Sequence, residues 1–213
     1  MRILPVSEEA TNEALRILAA GGIVAHATET CYGLACDLSN PAAVTKLFAI
    51  KERSSGQPVS ALFPSVKEAK NYVAWNDRAE ALAHQHLPGP LTLILPLRKD
   101  APLVFPIPTP TPNPIPNPIP TPNPTLALRI SSHPLAQALA ARFGKPLSTT
   151  SANLHGRPSP YSAQEIERQF ASASAQPDLI LDSGELPPVP PSTIIDLTQR
   201  DETRTRRQGG LSV

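Results

Sequence analysis

The chain has 213 residues, 40% hydrophobic and 17% charged, enough for one globular domain whose core needs no cross-links. Its formal net charge of +1 decides neither for nor against a nucleic-acid partner. Two cysteines, Cys31 and Cys36, exclude a disulfide framework and a four-thiolate metal site, and read as small packing residues in a reducing cytosol. Met1-Arg2-Ile3-Leu4-Pro5 runs into Glu8 and Glu9 with no apolar stretch, and no long apolar run follows. The expectation is a cytoplasmic chain without secretory signal or membrane span.

Helical and strand-like segments alternate. Ser7 is placed to cap a helix with Ala10, Ala14, Ile17 and Leu18 on its apolar face, ended by Gly21-Gly22. Ile23-Val24-Ala25 reads as a buried strand. Asn40-Pro41 is an N-cap with proline at the first helical position, and Val44, Leu47 and Phe48 form the buried stripe. A short strand covers residues 59–62, and Ser65 with Glu68 makes a capping box. A helix follows Asp77, and residues 91–97 read as a strand after the Pro88-Gly89-Pro90 turn. Residues 126–130 form a strand, 134–143 a helix closed by Gly144, and 147–150 a strand. Ser162 with Glu165 caps a further helix, and residues 179–182 and 193–197 complete the strands. Such alternation predicts one α/β domain over residues 1–213 with a twisted mixed, largely parallel sheet.

Residues 102–124 stand apart. They hold 11 of the 27 prolines, at every second position from Pro106 to Pro124. Proline removes the ladder donor and blocks helix, so the segment reads as an extended, solvated insertion in a surface loop.

Several short motifs carry chemistry. Lys51-Glu52-Arg53 sets two cations just after a helix, and Ser151-Ala152-Asn153 sets a hydroxyl and an amide on a turn after a strand. Alone, each pair describes a solvated helix end or an ordinary turn. Together they make a clamp for a polyphosphate, whose charge the cations neutralise and whose oxygens the donors meet. Around them stand Thr28-Glu29-Thr30-Cys31-Tyr32-Gly33-Leu34, Pro88-Gly89-Pro90-Leu91-Thr92, Thr125 to Arg129 with His133-Pro134, Arg157-Pro158-Ser159-Pro160, Asp182-Ser183-Gly184, Pro191 to Asp196 and Arg207-Gln208-Gly209.

This ordered series resembles the YrdC/TsaC family of L-threonylcarbamoyladenylate synthases from about residue 10 to 209, broken only by the proline run. The resemblance implies a twisted α/β sheet with helices around a cationic cavity. It also implies synthesis of L-threonylcarbamoyl-AMP from L-threonine, bicarbonate or CO2 and ATP, with release of pyrophosphate. That product is the first step toward N6-threonylcarbamoyladenosine at position 37 of tRNA. It places Lys51, Arg53, Ser151 and Asn153 on the triphosphate, and Gln57, Thr125, Ser159 and Arg207 on the nucleotide. Thr30, Arg129, Thr149 and Ser192 match positions that hold L-threonine, with Arg129 suited to the substrate carboxylate because a guanidinium can meet it bidentately. Mg²⁺ is expected on the ATP phosphates, without a protein-bound metal cluster. Hand-over to a tRNA threonylcarbamoyl transferase complex and a tRNA contact are implied partners.

Simpler roles compete for single residues: Thr30 as a turn cap, Ser192 as a strand start, Tyr32 as core, His133 as the cap of the helix at Pro134. The competing function is an RNA-binding protein of the same fold without synthase activity. Its cationic concave face would suit an RNA backbone, but 4% aromatic content is poor material for base stacking.

Overall fold

A computed structural model describes residues 1–52, 59–101, 124–199 and 202–213. In chain order the elements are β1 (Arg2–Pro5), α1 (Glu8–Ala19), β2 (Val24–Ala27), β3 (Tyr32–Ala35), α2 (Pro41–Ile50), β4 (Ser60–Leu62), α3 (Val66–Ala69), α4 (Asp77–His86), β5 (Leu91–Pro96), β6 (Thr125–Arg129), α5 (Pro134–Phe143), β7 (Leu147–Ser151), α6 (Ala163–Phe170), β8 (Leu179–Asp182), β9 (Thr193–Asp196) and β10 (Arg204–Arg207). Among the described residues they build one mixed α/β domain on a ten-stranded sheet, ordered β1-β8-β2-β3-β7-β4-β6-β5-β9-β10. Local chemistry sets the helix starts. Ser7, Asn40, Ser65 and Ser162 each accept a backbone N–H of the first turn. Gly144, in the left-handed region at φ 73°, ends α5.

The sheet is mixed but not largely parallel. Four neighbouring pairs are parallel and five antiparallel. Helix–strand alternation suggests parallel crossovers, but three pairs of strands consecutive in the chain lie side by side and run antiparallel. They are β2–β3, β5–β6 and β9–β10, each an antiparallel neighbour pair. β7 then enters antiparallel to both β3 and β4.

The two faces of this sheet are dressed differently. Alternate residues point to opposite faces. One face carries Ala25, Leu34, Ile180, Leu91, Leu93, Leu95, Leu126, Leu128 and Ile195 into a large apolar cluster with α2, α4 and α6. The other carries Val24, Ala35, Leu62, Leu147, Leu179 and Leu181 against Ala10, Ala14 and Leu18 of α1 and Leu135, Ala136, Leu139 and Ala140 of α5. Each leucine buried this way contributes roughly 1.5–3 kcal/mol. That second helical layer covers only part of its face; the strand ends beyond it are left for the site. No helix among the described residues is long and apolar enough to cross a membrane.

Candidate active site

The uncovered part of the second face is a cavity of about 260 Å³. Register builds it. Arg129 of β6 stands opposite Thr92 of β5, Thr92 opposite Ile194 of β9, and Ile194 opposite Arg207 of β10. A second row runs Ser60 of β4 to Thr149 of β7 and Ser151 to Gly33 of β3. All eight line the cavity, with Thr28, Thr30, Cys31, Ser159 and Ser192 closing it. Gly33 forms part of the wall: a Cβ there would meet the Thr150 carbonyl at 3.3 Å and Thr149 Oγ1 at 3.8 Å.

Arg129 is 8% exposed. Its Nη2 donates to Glu29 Oε1 and to Thr30 Oγ1, both at 2.8 Å. Both Nη2 hydrogens are thereby committed. A two-point grip on a further carboxylate therefore opens only when one acceptor yields, and the neutral Thr30 hydroxyl is the weaker of the two. Burial raises the Glu29 carboxyl pKa, but the Arg129 guanidinium and the Ser131 hydroxyl outweigh it and hold it below the usual glutamate value.

Arg207 closes the other side. A bulge between Thr205 and Arg207 shifts the β9–β10 register, which re-aims neighbouring side chains. Arg206 pairs with Asp196 at 2.7 Å, while Arg207 donates from Nε to the Ser192 carbonyl at 3.0 Å and from Nη2 to Ser192 Oγ at 2.9 Å. Ser192 Oγ also bonds Thr92 Oγ1 at 2.9 Å. Gly209 lets this segment lie on the loop before β9, because a Cβ there would fall 2.0 Å from the Pro191 carbonyl. Burial, then the nearby Arg129 charge, lowers the Arg207 pKa. Two mutually repelling guanidiniums in one cavity suit anionic ligand oxygens.

Lys51, 5% exposed at the end of α2, donates from Nζ to the carbonyls of Ser151 and Asn153, the latter at 2.9 Å, and to Asn153 Oδ1 at 3.3 Å. Asn153 Nδ2 in turn donates to the carbonyls of Leu154 and Arg157. The lysine and asparagine expected on a triphosphate thus fix the turn that carries Ser151.

The cavity brings together Thr30, Arg129, Thr149, Ser151, Ser159, Ser192 and Arg207 of the expected residues; Lys51 and Asn153 stand directly behind Ser151. Thr125 shares the strand face of Arg129 but sits four residues away, exposed, at the other end of β6 and outside the cavity lining. Arg53 and Gln57 lie outside the described residues, as does the proline segment from 102 to 123. Tyr32 is core, its hydroxyl pinning Ser183 N and the Gly184 carbonyl at 2.8 Å each. His133 caps α5 through Nδ1. Sequence reasoning missed Thr28, Cys31, Ser60 and Thr92 as lining residues. All but Ser60 lay inside motifs already singled out, and strand alternation would have placed Thr92 on the face of Arg129.

A mixed α/β domain with an open sheet patch of two guanidiniums and a ring of hydroxyls offers a cleft whose donors suit carboxylate and phosphate oxygens. The profile of the Sua5/YciO/YrdC family, described as telomere recombination, matches residues 16–209, and the chain belongs to that family. It is 32% identical over 173 residues to the threonylcarbamoyl-AMP synthase of Vibrio cholerae serotype O1, covering 78% of this chain and 83% of that one. P. abyssi Sua5, solved in complex with L-threonine, is 30% identical with a TM-score of 0.81; the match covers 99% of this chain and 57% of that one, so this chain spans just over half of that protein. E. coli YciO is 26% identical with a TM-score of 0.77, covering 98% and 93%.

Proposed function

We propose that this chain is an ATP-using nucleotidyltransferase that makes L-threonylcarbamoyl-AMP. The observation that carries the reading is the single cavity in which Arg129, Thr30, Thr149 and Ser192 meet Ser151, Ser159 and Arg207. Within it Arg207 is hydrogen-bonded directly to Ser192, so the amino-acid and nucleotide ends share a wall. Relatives named threonylcarbamoyl-AMP synthase and a threonine-bound structural neighbour support it.

In this reading the amine of L-threonine attacks CO2 with loss of a proton, or bicarbonate with loss of water, to give a carbamate. A carbamate oxygen then attacks the α-phosphorus of ATP, and the bond to pyrophosphate breaks. Charge builds on phosphate oxygens, so fixed cations and donors matter more than a strong base. Arg129 takes the substrate carboxylate, with Thr30, Thr149 and Ser192 beside it. Ser151, on the turn braced by Lys51 and Asn153, faces the phosphates together with Arg53, and Ser159, Gln57, Thr125 and Arg207 serve the nucleotide. Mg²⁺ arrives on the ATP phosphates. The product is a reactive mixed anhydride whose consumer is an acyl transfer to the N6 amine of tRNA adenosine 37 by a separate transferase complex, in the cytoplasm. The test is pyrophosphate release with each substrate omitted in turn. Release should require L-threonine, bicarbonate, ATP and Mg²⁺ together; equal release without threonine overturns the reading.

A further inference from the structure

We infer that Glu29 is a positioning residue that fixes how Arg129 presents its guanidinium to the amino acid, an inference that rests on the role proposed above for Arg129. Glu29 does not itself line the cavity. It stands behind Arg129, with its side chain 14% exposed against 10% for the arginine side chain. One carboxylate oxygen takes the Arg129 Nη2 hydrogen bond at 2.8 Å; the other accepts from Ser131 Oγ. Ser131 is fully buried, and its Oγ also accepts the His133 backbone N–H at 3.2 Å. Its carbonyl accepts from Gln137 Nε2. The carboxylate is therefore held from the start of α5, through Ser131, and passes that anchoring to Arg129.

Two consequences bear on the ligand. With Nη2 committed to Glu29 and Thr30, the guanidinium cannot turn about its long axis without breaking a buried charge pair, which is strongly destabilising once a partner is lost. Arg129 Nε, also buried, has no partner among the described residues. An unmet buried donor is costly, so a ligand oxygen that reaches it gains more than at a solvated arginine. Glu29 is ionised near neutrality, held so by Arg129 and Ser131 against the effect of burial. It therefore acts on Arg129 as a fixed charge and does not collect the proton of the substrate amine.

The experiment uses the full chain and the variants Glu29→Gln, Glu29→Asp and Ser131→Ala. Glu29→Gln keeps the shape and removes the charge. It should raise the KM for L-threonine roughly tenfold or more, the loss of one charge-assisted hydrogen bond, while the KM for ATP stays within about twofold. Ser131→Ala should move the threonine KM the same way by less, and Glu29→Asp should recover part of it. An unchanged threonine KM, or equal rises for threonine and ATP, overturns the inference. Should Glu29→Gln fail to fold, the other two variants carry the same split. A second readout is free of turnover: nitrogen-15 spectra of the arginine side chains. Slowly rotating Nη signals, assigned to Arg129 by their loss in Arg129→Lys, should average in Glu29→Gln; their persistence overturns the inference. If the wild type releases no threonine-dependent pyrophosphate, the proposed function fails, and the spectra still decide whether Glu29 positions Arg129.

Discussion

One face of one sheet serves two purposes, and the change happens within single strands. On β7 the face runs Leu147, Thr149, Ser151; on β4 it runs Leu62, Ser60; on β3, Ala35, Gly33. The first residue of each series packs against α1 and α5, and the rest line the cavity. A step of two residues moves the chain about 7 Å along the strand, and over that distance the surface passes from apolar core to hydroxyl-lined cleft. The covered half needs volume and shape. The open half needs donors held where ligand oxygens will come, with their backbone anchored elsewhere. Thr92, Ser192 and Arg207 are accordingly tied to one another or to the main chain, and Thr30 to Thr28 and Arg129.

The largest expected effect tests the open half. Lys51→Ala should lower pyrophosphate release by roughly a hundredfold or more, because it releases the turn that holds Ser151, an effect on the order of the ~2.7–4 kcal/mol lost with one preorganised electrostatic donor. Lys51 is buried and holds two carbonyls of the Ser151–Asn153 turn. The substitution should therefore also lower the melting temperature, unlike loss of a solvated surface cation. A rate within threefold of wild type would remove Lys51 from the site.

A second test probes a buried polar residue at the boundary between the two halves, opposite Gly33. His26 shares the strand face of Val24, is fully buried, and donates from Nδ1 to the Ala27 carbonyl at 3.0 Å while Nε2 has no partner among the described residues. Burial pushes its pKa down to about 4, with the charges of His133 and Arg129 acting the same way against the Ala27 bond and Glu29. The folded pKa lies below the unfolded one, so protonation favours unfolding. The stability of the neutral form is complete above pH 6.5 and is lost as pH falls toward 4, by on the order of 3 kcal/mol. Melting curves between pH 7 and 4.5 should fall steadily for the wild type. In His26→Asn, which keeps a donor near Nδ1 and cannot titrate, they should be flatter. Glu29, with its lowered pKa, keeps its contribution until more acid pH, below the usual glutamate value. A wild-type slope retained in His26→Asn would sink the assignment.

Much of this division was legible in the sequence. α5 and β8 fall at the expected residues, and the helices at Pro41 and Ala163 start at their predicted caps. Three strands were not foreseen, each for a physical reason. β3 is buried on both faces and contains Gly33, so it shows no alternation. β1 is a four-residue edge strand ending in Pro5. β10 reads Arg-Thr-Arg-Arg, the composition of a solvated tail, and is a strand because β9 offers its edge and Asp196 meets Arg206. In the site, residue types marked the chemistry, but partners came from register. Nothing in the sequence pairs Glu29 with Arg129, 100 residues apart, or turns Lys51 back onto the carbonyl of Ser151.

The smallest expected effect concerns the connection between β5 and β6. These strands are already closed antiparallel neighbours, with Pro96 opposite Thr125 and the Leu97 N–H donating to the Pro124 carbonyl at 2.8 Å. A turn of a few residues would join them, yet the chain spends residues 102–123 there. Those residues contain no Lys, Arg, Asp or Glu, so they bring no charge to a phosphate or a carboxylate, and their prolines cannot enter a central strand. Loop length enters stability only logarithmically. Replacing residues 102–123 by a short Asn-Gly turn should therefore leave stability within roughly 1 kcal/mol and pyrophosphate release within about threefold. Thr125 makes the test informative, because it is the first strand residue after the segment and shares the face of Arg129. A large rise in the ATP KM with the melting temperature unchanged would assign that end of β6 to the nucleotide. The open half of the sheet face would then extend along the whole strand instead of stopping at Arg129.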